Sequence, residues 1–148
     1  YGARASLDWR RGLAPFVLQT SVHTASTADA TADSLAAVSG ARGTRPPTDE
    51  EMPLAKASLT RGYPRGFETA QQVARSVSVL SLYGLPDTYF EEFVPKVNAV
   101  TSADVVKAAA QYLDPARLTT LIVGDYSAIA ESLRGLNLGE PQLKAAEF

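Results

Sequence analysis

Apolar and polar side chains alternate from the first residue. Tyr1, Ala3, Ala5 and Leu7 fall on one face, and Gly2, Arg4, Ser6 and Asp8 on the other. A period of two predicts a half-buried strand. Trp9-Arg10-Arg11-Gly12 reads as a turn, because Gly12 tolerates positive φ. A second alternating run follows from Leu13 to His23, with Phe16, Leu18, Thr20 and Val22 on one face. Pro15 sits near its start, where a missing N–H is tolerated. The two runs and their short connection predict a hairpin.

The period then lengthens. Ala28, Thr31, Leu35 and Val38 form a helical stripe behind the candidate caps Ser26 and Thr27, with Asp29 in the first turn and Gly40 as the stop. Thr48-Asp49-Glu50-Glu51 has the spacing of a capping box ahead of Met52, Ala55 and Leu59. Pro53 conflicts with a start at Asp49 and moves the expected start toward Met52. The longest helical pattern runs from about Glu68 to Leu82, with Ala70, Val73, Ala74, Val77 and Leu80 expected in the core and Gly84 and Pro86 as terminators. A short helix carrying Phe90, Phe93, Val94 and Val97 follows, shortened or bent at Pro95. Thr101 and Asp104 open another, with Val105, Ala109, Tyr112 and Leu113 inward and Asp114-Pro115 closing it. Leu118 to Val123 is rich in β-formers and predicts a buried strand; Ala128 to Leu133 predicts a last short helix.

Strands that do not alternate with helices argue for an α+β fold and against a doubly wound sheet. Three strands are few for so many helices, so the sheet is expected to be incomplete, with its missing strands before Tyr1. The whole of 1–148 reads as part of a single domain, without repeats or an internal boundary.

Composition narrows the chemistry. With 14 Lys and Arg against 16 Asp and Glu, the formal charge is -2, which leaves no basic surplus for nucleic acid. No apolar run reaches membrane-spanning length. There is no cysteine and only one histidine, His23. Thiolate nucleophiles, disulfides and the inverted His-x-x-Glu-His zinc motif are therefore excluded. His23 is a candidate ligand or base, but no Gly-x-Ser-x-Gly elbow accompanies it, and a strand-end histidine explains it as well. Glu50 and Glu51 fit helix initiation better than an acid–base pair. Glu91 and Glu92 point apart on a helix and fit a solvated face. Gly62 to Gly66 lacks the lysine of a phosphate loop and reads as a connector. Tyr63, Tyr83, Tyr89, Phe90 and Phe93 offer either a peptide-binding surface or helix packing over the sheet, and the single stripe of Phe90 and Phe93 favours packing.

Six stretches in fixed order carry a resemblance. They are Tyr1-Gly2-Ala3-Arg4-Ala5-Ser6, Thr48-Asp49-Glu50-Glu51 with Ala55-Lys56, and Phe67-Glu68-Thr69. After these come Tyr83-Gly84-Leu85-Pro86-Asp87 with Tyr89, Val97 to Val105 around Ala99-Val100-Thr101, and Ile122-Val123-Gly124-Asp125. Together they resemble the C-terminal, non-catalytic domain of the pitrilysin/insulinase/mitochondrial-processing-peptidase family of zinc metallopeptidases. The resemblance implies an antiparallel-rich sheet with helices packed on one face. It implies a peptide substrate held in a closed chamber, and zinc supplied by a partner domain or subunit. No cofactor is expected in this chain. In the family an Arg/Tyr pair grips the substrate backbone; its Tyr matches Tyr1, whose phenol suits donation to a carbonyl, and its Arg falls before the chain begins. Family habit adds a periplasmic setting. The alternative is a purely structural, peptidase-like subunit with no proteolytic role.

Overall fold

The computed structural model describes residues 2–144. Two strands, β1 (Gly2–Leu7) and β2 (Phe16–Ser21), pair antiparallel as a hairpin. The register sets Ala3, Ala5 and Leu7 opposite Thr20, Leu18 and Phe16, so the faces expected from the alternation coincide across the ladder. β2 is shorter than the Leu13–His23 run. It begins at Phe16, after Pro15, which has no N–H to add to the ladder. The Pro15 carbonyl still accepts from Asp8 N at 3.0 Å and holds the hairpin mouth together.

Among the described residues six α-helices follow: α1 (Thr27–Gly40), α2 (Glu51–Thr60), α3 (Ala70–Tyr83), α4 (Tyr89–Ala99), α5 (Ser102–Tyr112) and α6 (Tyr126–Arg134). The architecture is α+β. α1 packs on α6, and α2 on α4. A 3-10 helix, Tyr63–Phe67, packs against α3. Among the described residues the buried hydrophobic side chains are Val38 of α1, Ala109 of α5 and Ile129 of α6.

Most helix ends are fixed by local hydrogen bonds. Thr69 Oγ1 accepts from Gln72 N, and Gln72 Oε1 accepts from Thr69 N, a reciprocal cap that starts α3 just after the expected Glu68. Thr101 and Asp104 do the same for α5. Asp125 caps α6 through Ser127 N, which extends that helix back to Tyr126 from the expected Ala128. At α2, Thr48 and Glu51 form the expected capping box even though Pro53 lies close behind. Met52 N donates to Thr48 O, but Pro53 has no N–H for Asp49 O, so the helical ladder skips one bond and regular helix begins at Glu51. The α3 C-terminus closes on Gly84 at φ 63°, with Leu85 N donating to Leu80 O.

Several expectations need correction. Ser26 precedes α1 without a side-chain cap, and Thr27 turns its hydroxyl back to Thr24 O. Pro95 does not shorten α4, which runs through it to Ala99. Tyr112 is 74% exposed, so the α5 stripe turns away from it. The α3 stripe is not core: Ala70, Val73, Ala74 and Val77 lie exposed even though the 3-10 helix packs against α3. Leu59 of α2 is exposed as well. Finally, Leu118–Val123 forms no strand. The hairpin is the sole sheet among the described residues, and the run lies outside it with Leu121 at 86% and Val123 at 88% exposure. β-formers supply the backbone preference, but a strand also needs a ladder partner for its N–H and C=O groups.

Gly84→Ala should destabilise the fold by about 1–2 kcal/mol in urea unfolding, because a Cβ is unfavourable at left-handed φ. There is open space around that position, so a substitution at Gly12, also open and without positive φ, should cost much less. Equal losses at both positions would show that the left-handed cap is not what matters.

Candidate functional site

Tyr1, the residue matched to substrate binding, lies outside the described residues. The strand it leads into is placed. Gly2 pairs with Ser21 at the open end of the hairpin, and Thr20 Oγ1 donates to Gly2 O at 3.3 Å. β1 is exposed along its length, so this end of the chain faces solvent.

His23 lies beyond β2, in extended conformation, as the residue before a 3-10 turn at Thr24–Ser26. It is exposed. Among the described residues no group of three His, Asp or Glu side chains converges in a way that could hold a metal ion. Glu51 is engaged by Thr48 N at the start of α2, so it serves helix initiation. Glu92 pairs with Lys96 one turn along the exposed face of α4. Hydrogen bonds from Lys96 and then Thr88 hold its carboxyl below the ordinary glutamate range. Neither acidic pair forms a dyad.

Gly62 to Gly66 folds into the 3-10 helix that presents Tyr63 and Phe67. Tyr63 stacks on Phe93 of α4 with ring centroids 4.4 Å apart and planes at 13°. Phe67 meets Phe90 edge-on at 5.4 Å, and Tyr89 flanks Phe90. The Tyr63 hydroxyl donates to Phe90 O at 2.9 Å. Burial, with the neighbouring Tyr89, raises the Tyr63 phenol above its usual pKa. The aromatic residues thus clamp the 3-10 helix onto α4. They pack helices together as expected, although away from the sheet. Tyr83 stands apart and donates to Trp9 O at 3.2 Å, tying α3 to the hairpin loop.

One concavity was not foreseen. It is an open groove of about 550 Å³ between α2 and the α4–α5 junction, lined by Met52, Lys56, Arg61, Asn98 and Thr101 among others. Lys56 Nζ donates to Asn98 O at 2.8 Å across it. Lys56 and Arg61 lie on successive turns of one helix and its end, but only the fold brings Asn98 to them. The Lys56 ammonium is committed to closing α2 on α4.

No family model, no curated protein and no solved structure matches this chain.

Two measurements test this geometry. Asp104 has its carboxyl lowered by hydrogen bonds from the Thr101 side chain and then the Thr101 main chain. The folded state therefore releases that proton more readily than the unfolded chain. The contribution is complete above the ordinary Asp range, near pH 4, and is lost as pH falls through the lowered folded value. Helicity followed by circular dichroism should fall with acid in that range, and Asp104→Asn should flatten that part of the profile. An unchanged profile would remove Asp104 from the account. Tyr63→Phe should cost about 0.5–1.5 kcal/mol in urea unfolding, the net worth of the lost hydrogen bond, with ring stacking kept. A loss near zero would mean that the hydroxyl adds nothing to the clamp.

Proposed function

We propose that this chain is the non-catalytic, substrate-binding and chamber-forming part of a zinc metalloendopeptidase that degrades or processes unstructured peptides. The observation that carries the reading is the ordered set of motifs from Tyr1-Gly2 to Ile122-Val123-Gly124-Asp125. These motifs lie at places where a backbone needs a particular residue. Thr48-Asp49-Glu50-Glu51 caps α2, Tyr83-Gly84-Leu85 ends α3, Thr101 to Asp104 caps α5, and Gly124-Asp125 leads into α6.

In this reading the helices cover one face of an antiparallel-rich sheet, of which the hairpin is one part. The zinc, and the carboxylate that activates its water, belong to a partner domain or subunit. Tyr1 donates its phenol to the substrate carbonyl and to the negative charge that develops there. A specific observation also favours the second reading, a structural subunit. The apolar α3 stripe is laid out for contact with another surface, with Val73 and Val77 about half exposed.

The two readings separate in the assembled enzyme. The chain alone should bind no stoichiometric zinc and cleave no peptide. In complex with the zinc-bearing partner, Tyr1→Phe should lower kcat about 100-fold while KM changes little, as for loss of one donor to a developing oxyanion. A complex without zinc, or one indifferent to Tyr1→Phe, would make the chain a scaffold.

A further inference from the structure

The chain exposes 12028 Å². A compact monomer of 15.7 kDa exposes about 7,300 Å² by the scaling of surface with mass. The difference, about 4,700 Å², is surface that a compact chain of this mass would cover. The run Leu118–Val123 contributes to it, with two large apolar side chains almost fully exposed and its main chain in no ladder.

The hairpin edges are poor places for another strand to add. β1 carries Arg4 at its middle, and Pro15 stands directly before β2. A charge and a proline are the usual guards of an edge. Leu118-Thr119-Thr120-Leu121-Ile122-Val123 carries neither. Its ends, by contrast, are charged with opposite sign: Arg117 precedes it and Asp125 follows Gly124. Leu118 and Asp125 both have extended dihedrals.

We propose that this run pairs antiparallel with the same run of a second copy, in a register centred on Leu121. Leu121 then lies opposite its own symmetry mate. Thr120 lies opposite Ile122, and Thr119 opposite Val123. Arg117, the last residue of a 3-10 turn, and Asp125, the cap of α6, then flank the paired run at matching ends, and this happens twice because the axis is twofold. The register keeps the exposed side chains Thr119, Leu121 and Val123 on one face across both strands, since opposed residues in an antiparallel pair share a face. Shifting one chain by a single residue would oppose the two faces and separate the charges. A two-residue shift keeps the faces but moves Arg117 away from Asp125. The self-complementary charges therefore favour a second copy over an unrelated strand. The pairing gives Thr119 to Val123 the ladder partners that they lack within the chain, and it does not draw on the peptidase reading.

The chain contains no cysteine, so a single introduced thiol reports without background. Opposed Cα atoms in an antiparallel pair lie about 4.5–5.5 Å apart, within disulfide reach. Leu121→Cys in the full chain should oxidise to a covalent dimer, read as intact mass without reductant. Thr119→Cys and Val123→Cys should link to each other when mixed, and more slowly each to itself. Leu138→Cys, also exposed but outside the run, is the control. In sedimentation equilibrium the unmodified chain should dimerise, and Arg117→Asp should weaken that about tenfold by opposing like charges at both ends. A monomeric unmodified chain, or Leu121→Cys linking no faster than Leu138→Cys, would overturn the proposal. So would a dimer indifferent to Arg117→Asp in which Thr119→Cys and Val123→Cys fail to link.

Discussion

Main-chain N–H and C=O groups must be paired wherever water is excluded, and at helix ends they are left over by construction. This chain satisfies them locally. Thr48, Thr69 and Thr101 each exchange two hydrogen bonds with the residue three positions on, accepting from its main-chain N–H and donating their own to its side chain, and Asp114 and Asp125 each accept from the second N–H beyond them. The helices are thereby defined in length and position before any tertiary contact is counted. Tertiary contact then adds little burial, since Val38, Ala109 and Ile129 are the described hydrophobic side chains that reach the interior. The helices are held relative to one another by a few point attachments: the aromatic clamp at Tyr63, the Lys56 bond to Asn98 O, the Ser102 bond to Pro47 O and the Tyr83 bond to Trp9 O.

That balance explains which parts of the structure were legible in the sequence. Caps are local, so Thr48 with Glu51, Thr101 with Asp104, and Gly84 as a left-handed stop could be read from spacing alone. The hairpin faces were legible for the same reason, because alternation is a property of the strand itself. Apolarity was an uneven guide to burial: Val38 and Ala109 are buried as their stripes required, but Val73, Val77, Tyr112 and Leu121 are not. Val73 and Val77 have helical spacing and β-formers fill Leu118–Val123, yet periodicity states only which side chains share a face. Whether that face is covered depends on what else lies beside it, and nothing in the spacing of α3 or of 118–123 carries that information. The groove at Lys56 was missed on similar grounds, since Asn98 is 42 residues away and only packing of α4 on α2 brings it close.

Little of a candidate site was legible, again for a physical reason. A catalytic constellation in one chain leaves a mark in residue type, and here the type is absent: there is no cysteine, and the single histidine, His23, is exposed beyond β2. The acidic pairs that might have replaced it are occupied, Glu51 by a helix start and Glu92 by Lys96. What the chain does present is surface, 12028 Å² of it. The exposed apolar residues of α3 and of 118–123 are the parts of that surface with least reason to remain in water.

Those two patches make different demands. An apolar helix stripe can be covered by any apolar face of suitable shape, because burial is non-directional. A run with unpaired main-chain groups needs another strand, in one direction and one register, because its polar groups would otherwise be buried unsatisfied. The α3 stripe therefore sets no direction or register on what covers it. The 118–123 run is more selective, and the opposite charges of Arg117 and Asp125 around an uncharged centre make it complementary to itself. One chain can satisfy both demands at once: pairing through 118–123 uses the segment between α5 and α6 and leaves the exposed residues of α3 for a different surface.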